Sequence, residues 1–300
     1  MSRIGVQLGE RLKSTFKQYI RHAIEHALSE KESDNDILQV IVNLQASLEL
    51  LSKLYVLQSE GWQGIVDTRY HNKSETEVIS AIQNGTLKTT PYWKNKEFIS
   101  NEIFLDNDDK SLLDNFQNYR NQVMHLGIIN PSRDTLNEAI WFIVRIIHQL
   151  NWQDTLRTSK QYMSNSLESL LGNKLYTKLI NKSCYVDEAV DRAYERYDDV
   201  KFCIQCGNES WALDEKEYRI CLVCGYRGNE DAFGFIDCPL CNTKKALVYD
   251  PLNIASNEYL KGRCCSCKEL IPVTQCPECG NVYEYHGVCE FCKNYGQRNK

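Results

Sequence analysis

Arg120, Asn121 and His125 stand close together in the stretch Tyr119-Arg120-Asn121-Gln122-Val123-Met124-His125-Leu126-Gly127. On a helix, Asn121 and His125 are four apart and share a face. Arg120 is turned about 100° from Asn121 and flanks that face. Gly127 is placed to end the helix. His125 then falls in the last turn, where the dipole favours an imidazolium. These are parts for phosphodiester cleavage. A His moves a proton, an Arg neutralises charge on the phosphorane, and an Asn orients. No carboxylate cluster for magnesium accompanies them. The ordinary alternative is a solvated Arg and a His capping a helix end, and spacing alone does not separate the two.

A second chemistry sits in the last third. Thirteen of the 14 cysteines lie between Cys203 and Cys292, and only Cys184 precedes them. Twelve form CxxC knuckles: Cys203/Cys206, Cys221/Cys224, Cys238/Cys241, Cys264/Cys267, Cys276/Cys279 and Cys289/Cys292. A CxxC turn puts two sulfurs on one side of a tight loop, and two turns complete the four-thiolate tetrahedron that zinc prefers. Sequential pairing leaves 14, 22 and 9 residues inside the three sites. Interleaved pairing also satisfies the count, and so does iron–sulfur ligation, though evenly repeated knuckles favour zinc. Gly207, Gly225 and Gly280 follow second cysteines and permit the turn. A redox CxxC normally comes singly, beside a βαβ pattern. Cys265 beside Cys264 leaves the register of CCSC open, and His286 is a spare ligand candidate. Cys184 reads as a small buried apolar residue. The tail resembles a tandem array of zinc ribbons, with three structural Zn2+ ions expected. Each such ion supplies on the order of 10 kcal/mol of folding energy, replacing a core that roughly 30 residues cannot build.

The elements that carry the first constellation are helical. Leu12, Phe16, Tyr19, Ile20, Ala23, Ile24, Ala27 and Leu28 repeat at helical spacing, as do Ile37, Val40, Ile41, Leu44, Leu48, Leu51, Leu54 and Tyr55. A shorter helix is expected over Glu75–Gln83, and Thr89-Thr90-Pro91 marks a loop. A fourth starts after the acidic Asp106–Asp109 and carries Leu112, Leu113, Phe116, Tyr119 and Val123. After the Asn130-Pro131-Ser132 turn comes a helix with Ile140, Ile143, Val144, Ile147 and Leu150. It is apolar on its other faces too, as a central helix or a subunit interface would be. Helices are expected again at Leu167–Ile180 and Tyr185–Val200, the second a bridge to the tail. The expected fold is mainly α: a helical bundle over 1–158, a helical extension over 159–200, and three four-cysteine units of short strands over 201–300.

Composition narrows the class. At 42% hydrophobic and 25% charged, the chain suits a folded soluble protein. The start, MSRIGVQLGERLK, has no apolar signal region. Ala139–Ile147, taken as the most apolar segment, is too short to span a bilayer. A cytoplasmic protein without membrane association is expected, and a reducing compartment favours metal over disulfide for paired cysteines. The net charge is −5. Residues 1–200 carry −4 and residues 201–300 carry −1. Three thiolate sites would each add a further −2. Neither part is a general grip on nucleic acid, although Lys244-Lys245 and Lys261 with Arg263 form local basic patches.

The Arg120–His125 segment matches the Rx4–6H motif of the HEPN family, with the polar Asn121 that often follows the Arg. Ala46–Trp62 resembles the long second helix of such domains, and Trp141–Leu150 the helix after the motif. The likeness covers roughly residues 1–155 and extends to bacterial HEPN proteins with C-terminal zinc ribbons. It implies a helical bundle that dimerises and joins two motifs in one cleft that takes an RNA substrate. It also implies metal-independent endoribonuclease activity, with 2′-OH attack and a 2′,3′-cyclic phosphate product. Arg120 and His125 would be the catalytic pair and Asn121 their helper. Such enzymes often serve as toxins or in antiviral defence, and the ribbon tail would bind a regulatory partner. Other family members keep the fold as adaptors or nucleic-acid binders without catalysis.

Three further pairs are visible. His22 and His26 have metal-capable i,i+4 spacing without an evident third ligand. Arg145 and His148 interrupt an apolar helix, with structural pairing expected for Arg145. Glu49 and Lys53 read as an i,i+4 pair on a solvated face.

Overall fold

The structure is a computed structural model that describes residues 2–29, 34–102, 107–126, 140–141, 144–145, 166–213, 217–254 and 258–296. The chain forms two compact units, Met1–Arg157 with Leu167–Lys182, and Thr158–Ser166 with Ser183–Lys300. Helices dominate the first, and short strands with cysteine clusters dominate the second.

The first unit is built on two long helices, α1 (Arg3–Ala27) and α2 (Asp34–Glu60), packed along each other. The Ser2 hydroxyl accepts from the Gly5 N–H at 3.1 Å and caps α1. Phe16, Ile20, Ala23 and Ile24 are buried on one face of α1, while Tyr19 is turned outward. On α2, Val40, Ile41, Leu44, Leu48 and Tyr55 are buried, a stripe with helical spacing. The α2 window Asn35–Glu60 is also long and apolar enough to cross a bilayer, which Ala139–Ile147 is not. However, 72% of it is buried inside the unit, as in the core helix of a soluble protein. Polar residues lie in this interior. Lys53 is 8% exposed, and its Nζ meets Glu49 Oε1 at 2.6 Å. The solvated surface pair expected here is therefore a largely buried one.

Three shorter helices pack around this hairpin: α3 (Glu75–Gln83), α4 (Tyr92–Glu102) and α5 (Asn107–Leu126). α3 opens with a capping box between Ser74 and Glu77. α4 has no counterpart in the sequence reading. It packs on α2, where Asn95 is buried and Phe98 tilts against Tyr55 with ring centroids 5.9 Å apart. Ile140, Trp141, Val144 and Arg145 are helical as well. Ile143, Ile147, Leu150, His148 and the Asn130-Pro131-Ser132 turn lie outside the described residues.

The segment read as one helix over Leu167–Ile180 is two, α6 (Ser166–Leu171) and α7 (Asn173–Leu179), split at Gly172 with φ +81°. α7 packs on α1 in the first unit. α8 (Ser183–Arg196) belongs to the second, so the expected 159–200 extension is divided between the two. α8 stops before Val200, which starts the first strand.

The second unit carries two antiparallel sheets. The first has the order β1 (Val200–Lys201), β2 (Trp211–Leu213), β3 (Tyr218–Cys221) and β4 (Arg227–Asn229). The other runs β5 (Gly234–Ile236), β6 (Leu247–Ile254), β7 (Leu260–Cys264), β8 (Val273–Gln275) and β9 (Val282–Glu284), followed by α9 (Glu290–Gly296). The second and third cysteine sites share this one five-stranded sheet.

Candidate functional site

α5 buries Leu112, Leu113 and Phe116 and turns its C-terminal end outward. Arg120 and Asn121 are half-buried there, and His125 is exposed. Arg120 Nη1 donates to Asn121 Oδ1 at 3.1 Å. His125 lies one turn further along and, among the described residues, bonds to neither. Gly127 lies outside the described residues.

Arg145 behaves differently. Its guanidinium pairs with Asp109 in the first turn of α5, and the Asp109 side chain is fully buried. The guanidinium also lies 5.7 Å from the centre of the buried Trp141 ring. The acidic run read as a prelude to the helix thus supplies a core anion from within it. No local signal shows this, because the partner lies 36 residues away.

The twelve knuckle cysteines gather into three tetrads, and the pairing is sequential: Cys203/Cys206/Cys221/Cys224, Cys238/Cys241/Cys264/Cys267 and Cys276/Cys279/Cys289/Cys292. The antiparallel strands decide this. The first site lies between the β1–β2 and β3–β4 connections, the second between β5–β6 and β7–β8. The third joins the β8–β9 connection to the start of α9.

Five knuckles are built alike. The N–H four residues after the first cysteine bonds to that cysteine's carbonyl, as in Gly207 to Cys203 at 2.8 Å and Gly280 to Cys276 at 2.9 Å. The first cysteine's own N–H reaches a carbonyl five residues on, as in Cys238 to Thr243 at 3.0 Å. The closing residue is left-handed each time: Gly207, Gly225, Asn242, Lys268 and Gly280. Gly207 also lies under a side chain. A Cβ there would stand 2.9 Å from the Arg263 guanidinium packed over it. The sixth knuckle, Cys289/Cys292, instead opens helix α9.

Sulfurs of facing knuckles are 3.7 and 3.6 Å apart in the first site. The corresponding distances are 3.9 and 3.7 Å in the second and 3.7 and 3.5 Å in the third. A metal–sulfur bond of about 2.3 Å in a tetrahedron sets sulfurs roughly 3.8 Å apart, so four thiolates here fit one ion per tetrad. Disulfides would need about 2.05 Å, and all 14 cysteines are free.

Donors surround the sulfurs. Gln205 N–H points to Cys203 Sγ at 3.3 Å, and Ser266 and Cys267 N–H both point to Cys264 Sγ at 3.3 Å. Ser210, fully buried, sits 3.1 Å from Cys221 Sγ and receives the Val223 N–H at 3.3 Å. Such outer contacts orient ligands and temper thiolate charge. Two residues before Cys221 on β3, the buried Arg219 lies 5.2 Å from the Trp211 ring centre and 2.9 Å from Glu230 Oε1.

The spare residues now have places. Cys264 is in its tetrad. The Cys265 thiol points to the Phe202 carbonyl at 3.5 Å, and burial pushes its pKa up to about 11, leaving it a neutral donor. His286 is exposed, left-handed at φ +70° and tilted against the Tyr285 ring, outside the third tetrad. Cys184 is half-buried rather than buried. Lys261 and Arg263, read as a phosphate patch, are engaged by backbone. Lys261 Nζ donates to Gln205 O at 3.0 Å, and Arg263 Nη1 to Lys268 O at 2.7 Å.

Comparisons with protein-family models, curated proteins and solved structures gave no match.

Proposed function

We propose that the chain is a metal-independent endoribonuclease of the HEPN type, with its chemistry at Arg120, Asn121 and His125. One observation carries this reading. Among the described residues no carboxylate pairs with Arg120. Its recorded partner is the Asn121 amide, at the outward end of the helix that also bears His125. Arg145, in contrast, is neutralised by Asp109. Of these two arginines, Arg120 is the one available to a phosphate.

In the proposed reaction the ribose 2′-oxygen attacks the adjacent phosphorus and the 5′-oxygen leaves, giving a 2′,3′-cyclic phosphate. The 2′-OH proton passes to a base, and the departing oxygen takes a proton from an acid. An imidazole serves either role, so two copies of His125 in a homodimer could divide them. Arg120 offsets the phosphorane charge, and Asn121 holds the guanidinium in place. The metal of the three tetrads is zinc in this reading, purely structural. The setting would be cytoplasmic, as a toxin or antiviral effector.

The cysteine-rich unit is the regulatory or partner-binding part. Leu240, Leu270, Val288 and Phe291 are all about half-exposed or more on it, and Lys261 and Arg263 are turned to carbonyls. Those features favour protein contact over nucleic acid. They also support the second reading, a non-catalytic adaptor.

The deciding experiment incubates purified protein with structured RNA in EDTA, briefly enough to limit metal loss, beside Arg120→Ala and His125→Ala. Cyclic-phosphate ends from the wild type that vanish in both variants are expected. Identical products from all three proteins would refute the catalytic reading and leave the adaptor.

A further inference from the structure

The His22–His26 pair lacked an evident third partner in the sequence, and the fold supplies one. Asp36, in the first turn of α2, approaches the last turn of α1, and its Oδ1 lies 2.7 Å from His26 Nδ1. A carboxylate only accepts, so Nδ1 carries the proton. In the neutral ring, Nε2 then keeps its lone pair. His26 Nε2 faces His22 Nε2 at 3.3 Å, with the rings at 82°. On the other side of His22, its Nδ1 is 3.8 Å from Glu25 Oε2, beyond hydrogen-bond reach, so that ring is free to take the tautomer with Nε2 unprotonated. Both Nε2 atoms thus border the gap between the rings, where an ion can take the place of the proton they share.

That gap has the dimensions of a metal site. Two imidazole–metal bonds of about 2.0–2.1 Å in a tetrahedron set the nitrogens roughly 3.3 Å apart. A carboxylate behind a ligating imidazole is the usual outer support, fixing tautomer and raising basicity. The His22 side chain is 51% exposed and that of His26 25% exposed. His22 also borders an open cavity of about 690 Å³ lined with Lys17, Arg21, Glu25 and Asn43, so an ion can enter and water can fill its remaining positions.

We propose that His22 and His26 form a fourth metal site, an open two-imidazole site for a borderline divalent ion such as Ni2+, Co2+ or Zn2+, with Asp36 as its outer support. Imidazole nitrogen selects these ions over Mg2+ and Ca2+. The site is independent of the cysteine tetrads and of the ribonuclease reading.

The test uses untagged, full-length, zinc-loaded protein titrated with Ni2+ by calorimetry, with zinc content measured before and after. The expected result is one Ni2+ per chain without loss of zinc, abolished by His22→Ala and by His26→Ala. Asp36→Asn keeps both ligands and should weaken binding about 10–100-fold. If His22→Ala takes up Ni2+ as the wild type does, or the wild type takes up none, the proposal is overturned. The close approach is then a proton shared between the two rings.

Discussion

The Tyr185 hydroxyl of α8 donates to the Val223 carbonyl, 2.6 Å away and sealed from solvent. Val223 lies inside the second knuckle of the first metal site, so this bond fastens the helix to the tetrad. Burial, then the thiols of Cys221, Cys224 and Cys206, hold the phenol well above its ordinary pKa, and it stays a donor at any physiological pH. Tyr185→Phe leaves the carbonyl without that donor, a loss of about 1–3 kcal/mol. The unfolding midpoint of the cysteine-rich unit should fall, and a chelator should strip one zinc of three faster than before. An unchanged midpoint and release rate would show that α8 is not coupled to the site.

Metal content should follow the assigned ligands. Wild type is expected to hold three zincs per chain by elemental analysis. Cys264→Ser should lose at least the second, because a hydroxyl is a poor ligand for zinc. Cys265→Ser should keep all three. The reverse pattern would put Cys265 in the tetrad and shift the register of that knuckle.

Much of this was readable from local spacing. The knuckles announce themselves because a metal site needs two sulfurs three residues apart. Their pairing does not, since sequential and interleaved closure have the same spacings. It follows only from strand order, as where Leu247 of β6 sits opposite Cys264 of β7. α1 and α2 were legible from stripes such as Phe16, Ile20 and Ile24. α4 was not: among its described side chains the polar Asn95 is buried and the apolar Trp93 is exposed, which inverts the pattern that marks a helix. Asp109 reads as a flanking acid because its partner, Arg145, is brought to it by tertiary packing, and packing likewise brings Asp36 to His26. On α8, Tyr185 shares a face with Ala189 and Ala193, and all three are buried.

The capping box of α3 should give a pH signature. Glu77 Oε2 accepts from the Ser74 N–H at 2.9 Å and from its hydroxyl at 2.8 Å. These bonds, backbone first and then side chain, with Lys73 adding to them, bring the Glu77 carboxyl from 4.5 down to about 2. A lowered folded-state pKa gives stability that is complete above the unfolded value. It is lost as pH falls from about 4.5 towards 2. Carboxyl NMR titration should find Glu77 below the other exposed glutamates. Ser74→Ala should move it upward and cost about 0.5–2 kcal/mol in stability. A Glu77 that titrates with its neighbours would mean the box is not held in solution.

Two arginines of the helical unit should separate by what their loss does. Asp109→Asn leaves Arg145 without its anion at a largely buried position, where breaking a pair costs about 3–5 kcal/mol. Among the described residues Arg120 bonds to the Asn121 amide, and it is partly solvated, so Arg120→Ala should stay within about 0.5 kcal/mol of wild type. Urea unfolding measures both. RNA cleavage, normalised to the folded fraction, should then show the opposite order. It should be retained by whatever Asp109→Asn protein remains folded and lost from fully folded Arg120→Ala. If Arg120→Ala unfolds as readily as Asp109→Asn, its guanidinium is a structural group like that of Arg145, and the proposed phosphate contact must be sought elsewhere.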